Sequence, residues 1–99
     1  MYELRFAVGV VRDLGAMRAA ERKRILDGVR RRLGHEPTRR TKHVKQLRKL
    51  SPPFEHVPPI WQLRIGDYRV FYDVDEVGRV VFVRAVRRKP PHTTTEQIL

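Results

Sequence analysis

Two arginines lie on either side of a short turn in the segment WQLRIGDYRVFYDVDE, residues 61–76. Gly66 and Asp67 stand between two alternating runs, a pattern that predicts a β-hairpin with a two-residue loop. That register places Arg64 directly opposite Arg69, and like charges at opposed positions destabilise a sheet. Because guanidinium groups bind phosphate oxygens in a forked geometry, we interpret the pair as a phosphate-binding site. The alternative is that a nearby aspartate neutralises them: Asp67, Asp73 or Asp75.

Groups that could transfer protons follow the last predicted strand. Arg87, Arg88 and Lys89 form a cationic cluster at the end of the sheet, and His92 comes soon after. A lysine among other cations has a lowered pKa and can exchange a proton more readily. Histidine has an unperturbed pKa of about 6.5, which suits proton transfer, although a single histidine is more often an ordinary surface residue. No cluster of Asp, Glu and His indicates a metal site, so we expect neither a metal nor another cofactor.

The overall charge of the chain predicts a polyanionic partner. The sequence has 22 Lys and Arg against 11 Asp and Glu, which gives a formal net charge of +11. Nucleic acid, an anionic membrane or an acidic protein would each suit this charge, whereas the alternative is a solvated basic surface with no partner. There is no cysteine for a disulfide framework, and no apolar run approaches the roughly 20 residues of a membrane span. With no secretory signal visible, we expect a cytoplasmic protein without a membrane partner.

The pattern of apolar residues predicts one α+β domain over residues 1–99. Alternation over residues 2–6 predicts a half-buried strand, and Val10, Val11 and Leu14 fit a short helix. A longer amphipathic helix with Asp27 paired to Arg31 should end at Gly34. Its apolar stripe consists of Ile25, Leu26, Val29 and Leu33.

A meander of three strands is predicted after residue 60. One face of its hairpin should form the core: Trp61, Leu63, Ile65, Tyr68, Val70 and Tyr72. For the strand over residues 80–86 two registers remain open, with either Val81, Val83 and Ala85 or Val80, Phe82 and Val86 facing the helices. At the carboxy terminus, Thr93 and Glu96 have the spacing of a capping box for a short helix.

Between the helices and the meander, residues 38–59 lose all periodicity and predict an irregular basic arm. Leu47, Leu50 and Phe54 are its expected anchors to the core. Loops of this length in compact domains are usually functional or disordered, and the anchors favour a function.

The hairpin LRIGDYRVFY, the strand VVFVRAVRRK and the helix RILDGVRRRLGHEP together resemble the RelE/ParE superfamily of toxins from type II toxin-antitoxin systems. The resemblance extends over the order of elements along the whole chain. It implies two helices packed on a twisted, mainly antiparallel sheet of about four strands, which the amino-terminal strand joins. It also implies an acidic antitoxin protein that wraps the toxin.

The superfamily includes two activities, ribosome-dependent cleavage of messenger RNA and inhibition of DNA gyrase. In the cleaving members, basic residues on the concave sheet surface hold the scissile phosphate, and Arg64 and Arg69 match such positions. Lys89, or Arg88 before it, lies where a further catalytic arginine follows the last strand. The chain departs from the best-known cleaving member at Gln62, where that member has a lysine, and near its end, where a tyrosine is missing. His92 is a candidate for part of the tyrosine's role.

Cleavage of RNA without a metal requires attack by the 2′-hydroxyl on the adjacent phosphorus, with a base, an acid and cations that hold the extra charge. Arg64 and Arg69 suit the cationic role, while Lys89 and His92 are candidates for proton transfer. The basic arm and the basic face of the long helix would then contact RNA on the ribosome. The expected RNA-binding residues are Arg39, Arg40, Lys42, Lys45, Arg48, Lys49, Gln62 and Arg87. The alternatives are a non-catalytic gyrase inhibitor and a degenerate RNA-binding homologue.

Overall fold

The computed structural model describes residues 1–99 as three helices and a five-stranded sheet. The elements in chain order are β1 (Glu3–Phe6), α1 (Val8–Ala16), α2 (Ala19–Leu33), β2 (Val44–Gln46), β3 (Trp61–Ile65), β4 (Tyr68–Asp75), β5 (Val80–Arg88) and α3 (Thr95–Ile98). The strand order is β1-β5-β4-β3-β2, in which only the β1–β5 pair is parallel. This architecture confirms the predicted α+β class. None of the three helices is long and apolar enough to cross a membrane.

The β3–β4 hairpin has the register that the sequence predicts, from Trp61 opposite Tyr72 to Ile65 opposite Tyr68. Leu63, Val70 and Tyr72 are fully buried in the main core, together with the apolar side chains of α1 and α2. Ile65 and Tyr68, nearest the turn, are only partly buried but still pack against this core. One face of the hairpin therefore carries the helices, as expected.

The arm contains a strand that the sequence pattern does not predict. Val44 to Gln46 form β2, which pairs antiparallel with the outer edge of β3. The sheet thus has five strands where about four were expected, because three residues are too few to establish an alternating pattern. The anchors are confirmed: Leu47 is buried in a second apolar cluster with Phe71, and Leu50 and Phe54 pack against that cluster. This second cluster lies on the sheet face opposite the helices.

Neither of the two registers considered for β5 is correct. Its pairing with β4 shifts between Phe71 and Tyr72, since Phe71 lies opposite Ala85 whereas Tyr72 lies opposite Val83. One extra residue, Arg84, is thereby inserted, and a single insertion reverses the alternation of faces beyond it. Val81, Val83 and Val86 consequently join the main core, while Ala85 joins the second cluster.

Three local predictions about the helices need correction. Val11 is 59% exposed, so only Val10 and Leu14 anchor α1. Asp27 pairs with Lys23 at 2.9 Å rather than with Arg31. The capping box of α3 is formed by Thr94 and Gln97, one residue later than predicted, because the Thr93 hydroxyl donates to the Pro90 carbonyl oxygen instead.

A buried ion pair attaches the arm to the second face of the sheet. The carboxylate of Asp73 accepts hydrogen bonds from Arg84 Nε at 2.7 Å and from the backbone N–H of Val57 at 2.9 Å. The Asp73 and Arg84 side chains are only 4% and 15% exposed. Arg84, the inserted residue of β5, is therefore the partner of Asp73, and Asp73 in turn binds the backbone of the arm.

We expect Asp73→Ala to reduce the free energy of unfolding by about 3 kcal/mol, because Arg84 would remain in the interior without its main partner. Asp27→Ala is the matched control, since the Lys23–Asp27 pair is exposed and its loss should leave the urea midpoint nearly unchanged. Urea unfolding followed by circular dichroism measures both variants. Equal midpoints for the two variants would contradict a structural role for the Asp73–Arg84 pair.

Candidate functional site: a basic cleft on the sheet

Basic side chains form a row across four strands of the sheet. Arg64 lies opposite Arg69, and Arg69 lies opposite Arg87 on β5. On the other side the backbone N–H of Arg64 donates to the carbonyl oxygen of His43 at 2.8 Å, which continues the β2–β3 ladder by one position. Opposed residues project from the same face of a sheet, so this row extends from His43 to Arg87. The next row, beginning at Lys45 and Gln62, ends in the second apolar cluster.

A cleft of about 240 Å³ opens over this row. It is lined by Thr41, Lys42, His43, Val44, Lys45, Gln62, Arg64, Arg69, Lys89 and Thr95. Lys89 is held at its edge because its backbone N–H donates to the carbonyl oxygen of Asp67 at 2.6 Å, which ties the end of β5 to the hairpin turn. The cleft thus combines residues from the arm, β2, β3 and β4 with one residue just after β5 and the first residue of α3.

The two central arginines have no carboxylate partner. Neither Arg64 nor Arg69 forms an ion pair, and Arg69 Nη1 donates instead to the carbonyl oxygens of Gly66 and Tyr68, at 2.8 and 2.9 Å. Burial lowers the pKa of Arg69, and the charge of Arg64 lowers it further, although arginine keeps its proton at neutral pH.

The aspartates that could have neutralised the arginines are engaged elsewhere or too weakly coupled. Asp73 binds Arg84, and Asp75 accepts hydrogen bonds from the backbone N–H groups of Val77 and Gly78. Asp67 raises the pKa of Arg69, but burial and Arg64 outweigh it. The cleft therefore keeps uncompensated positive charge and suits an anion.

Comparisons with known proteins identify the fold. No protein-family model matches the sequence, and no curated protein is significantly similar to it. Among solved structures, a chain of the archaeal RelE–RelB complex from Pyrococcus horikoshii superposes with a TM-score of 0.69 at 26% identity, covering 93% of this chain and 98% of that one. The chain has a RelE-like fold. The resemblance to the RelE/ParE superfamily is thereby confirmed.

Two further structures share the fold of this RelE-like chain. A chain of the RelBE2 toxin–antitoxin complex from Mycobacterium tuberculosis has a TM-score of 0.70 at 23% identity, covering 89% of this chain and 98% of its own. The isolated RelE toxin of E. coli has a TM-score of 0.68 at 20% identity, covering 91% and 86%. At such low identity these two establish the fold alone.

The carboxy-terminal candidates occupy different places in the RelE-like fold. Lys89 lines the cleft, but Arg88 lies opposite Tyr68 and therefore projects toward the helices. Arg87 belongs to the basic row, yet its guanidinium lies 5.9 Å from the centre of the Phe54 ring and 3.9 Å from Asp13. His92 is exposed, has a positive φ of 65° and does not line the cleft. Of these residues only Lys89 joins Arg64 and Arg69.

Of the predicted RNA-binding residues, some line the cleft and others lie outside it. Lys42, Lys45 and Gln62 line the cleft, and the buried Gln62 accepts a hydrogen bond from Thr95 at 3.1 Å. The others lie outside it. Arg39 pairs with Glu36, Arg40 donates to Gln46 and lies over the Trp61 ring, and Arg48 and Lys49 are exposed.

His43 is a cleft residue that the sequence reasoning left out of its candidates. Its Nδ1 atom is buried and has no hydrogen-bond partner. Partial burial lowers the pKa of His43, as do the charges of Arg32, Arg64 and Lys42. Prediction of β2 would have revealed it, because the β2 register brings His43 beside Arg64. Within the described chain no group of three or more His, Cys, Asp or Glu side chains has a metal-binding arrangement.

We expect Arg64→Gln to raise the free energy of unfolding in chloride buffer by about 0.5 kcal/mol, because it removes the repulsion across the hairpin. Added inorganic phosphate should stabilise the parent more than the variant, since bound anions stabilise the folded state by mass action. Thermal unfolding in matched chloride and phosphate buffers measures both effects. Arg30→Gln, at an exposed position of α2, is the control; an identical phosphate response in all three proteins would rule out an anion site at Arg64.

Proposed function

We propose that this RelE-like chain is the toxin of a toxin-antitoxin pair and cleaves messenger RNA on the ribosome without a metal. The observation that carries the proposal is the pair Arg64 and Arg69, which face each other without a counter-ion at the centre of a cleft that also contains Lys89. Repulsion between the two arginines lowers the stability of the folded protein, and an anionic substrate bound between them would offset that repulsion.

The scissile phosphodiester fits between the two guanidinium groups. Attack by the 2′-hydroxyl converts a phosphate with one negative charge into a phosphorane with more, and cations fixed beforehand stabilise that added charge most. Arg69 is restrained by its hydrogen bonds to two backbone carbonyl oxygens, so it need not reorganise as the charge develops. The Lys89 ammonium at the edge of the cleft is suited to protonate the leaving 5′-oxygen.

The charge outside the cleft supports a ribosomal partner. Of the basic arm residues, Arg48 and Lys49 are exposed and not neutralised by an ion pair, as is Arg30 on α2. Phosphate contacts made by such side chains position a protein on RNA without reading its sequence. In this arrangement ribosomal RNA would hold the protein while the messenger enters the cleft. An inhibitor of gyrase has no comparable need for a net charge of +11.

The same charge supports an acidic antitoxin as the second partner. The structure from Pyrococcus horikoshii is a RelE–RelB complex, and that from Mycobacterium tuberculosis is the RelBE2 toxin–antitoxin complex. By analogy, an acidic protein would cover the basic surface of this chain and restrain its activity in the cytoplasm.

Cell-free translation with mapping of messenger 5′ ends tests the proposal. The parent protein should produce new ends at a constant position within codons, and Arg69→Ala should lower their rate of formation by about 100-fold, since it removes one fixed charge from the site. A gyrase supercoiling reaction run alongside should be unaffected. Intact messenger together with blocked supercoiling would establish the gyrase inhibitor instead, and no effect on either would favour an inactive RNA-binding homologue.

Lys89→Gln and Arg88→Gln form a matched pair, because both remove one positive charge from neighbouring positions but only Lys89 lines the cleft. We expect Lys89→Gln to lower the cleavage rate by about 100-fold, as is typical for loss of a general acid. Arg88→Gln should change it by less than about threefold, within the range of a general charge effect. Primer extension on a single messenger gives both rates, and an equal loss in the two variants would remove Lys89 from the mechanism.

A further inference from the structure

We propose that His43 is the general base that removes the proton from the attacking 2′-hydroxyl, an assignment that rests on the proposed RNA cleavage. His43 lies immediately before β2, opposite Arg64 in the basic row, and lines the same cleft as Arg69 and Lys89. It is the one imidazole in the cleft, since the other three histidines of the chain, His35, His56 and His92, do not line it.

The surroundings of His43 favour a neutral imidazole in the free protein. The buried Nδ1 atom has no acceptor, so protonation of both ring nitrogens would leave a charged N–H group unsatisfied. The charged groups that act on the ring are Arg32 from α2, Arg64 from β3 and Lys42 from the arm, and all three are cations. Partial burial and these charges lower the pKa of His43, which leaves the ring unprotonated and able to accept a proton at neutral pH.

Binding of RNA changes this balance in the direction that catalysis needs. A phosphodiester placed between Arg64 and Arg69 offsets the positive charge that opposes protonation of His43. The imidazole becomes more basic when substrate is present, and more basic again as negative charge develops on the phosphorane. The imidazole is thus neutral before binding and more basic after it.

The proton transfers balance with the residues of the cleft. The 2′-hydroxyl proton passes to Nε2 of His43, since Nδ1 is buried, as the bond from O2′ to phosphorus forms. The bond from phosphorus to O5′ then breaks, and the leaving oxygen takes a proton from the Lys89 ammonium. The products are a 2′,3′-cyclic phosphate and a free 5′-hydroxyl, with His43 protonated and Lys89 neutral until solvent restores both.

Other cleft residues are less suited to the role of base. Arg64 and Arg69 keep their protons at all relevant pH values. Lys89 lies outside the basic row, just after β5, where its backbone N–H donates to Asp67 of the hairpin turn, and its ammonium group suits the role of acid. His92 is exposed and outside the cleft. His43 alone combines a place beside the arginines with a neutral side chain that accepts protons.

The test compares parent protein with His43→Gln and His43→Ala in single-turnover cleavage of ribosome-bound messenger at several pH values. The parent rate should rise with pH and level off once the imidazole is deprotonated. His43→Gln should be at least about 100-fold slower and lack this rise, and added imidazole should partly restore His43→Ala. His35→Gln, at an exposed position outside the cleft, is the control and should keep the parent profile. Co-sedimentation with ribosomes should be equal in all variants.

A second measurement does not depend on activity. The imidazole signals of His43, followed by NMR in the parent protein, should give a pKa below the usual value for histidine, and a non-cleavable 2′-deoxy oligonucleotide should raise it. An unchanged His43 pKa with bound oligonucleotide would overturn the assignment, as would a His43→Gln variant that cleaves with the parent rate and pH profile. If the parent itself does not cleave, the nuclease function fails and the base assignment fails with it; if only the His43 outcomes fail, the nuclease function stands.

Discussion

The register of the β3–β4 hairpin is the constraint on which the remainder of the structure depends. A loop of only two residues leaves one way to pair the strands, and Gly66 adopts a positive φ of 56° that few other residues tolerate. A slip of one residue would turn Leu63 and Val70 outward and bury Arg64 and Arg69 against the helices. The core and the basic row are therefore fixed by the same turn.

The insertion of Arg84 determines which side chains of the neighbouring strand, β5, face the helices and which face the cleft. It lets Val81 and Val83 face the helices in the first half of the strand, and Val86 in the second. It also places a guanidinium where the carboxylate of Asp73 needs a partner. Without the insertion, Arg87 would fall on the helix side and could not continue the row that begins at His43. One irregularity thus serves both the core and the site.

Much of this structure follows from sequence patterns that are local. The hairpin, the long helix with its stripe, and the anchors Leu47 and Phe54 could be predicted because each pattern repeats within a few residues. β2 and the β5 insertion could not, since β2 is defined by its pairing with β3 and the insertion by hydrogen bonds between strands. The position of His43 in the site could not be predicted for the same reason. Its neighbours in space are Arg32 and Arg64, which lie far from it along the chain.

The absence of carboxylates around Arg64 and Arg69 has a consequence for how this cleft binds. In the free protein, the charge of these side chains is balanced by mobile anions from the solution rather than by fixed acids. When a phosphate enters, those ions are released, and their release contributes more to the affinity when the salt concentration of the solution is lower. Screening by salt weakens the same attraction. The affinity of the cleft for phosphate therefore depends on the salt in the surrounding solution as well as on the contacts that the protein makes.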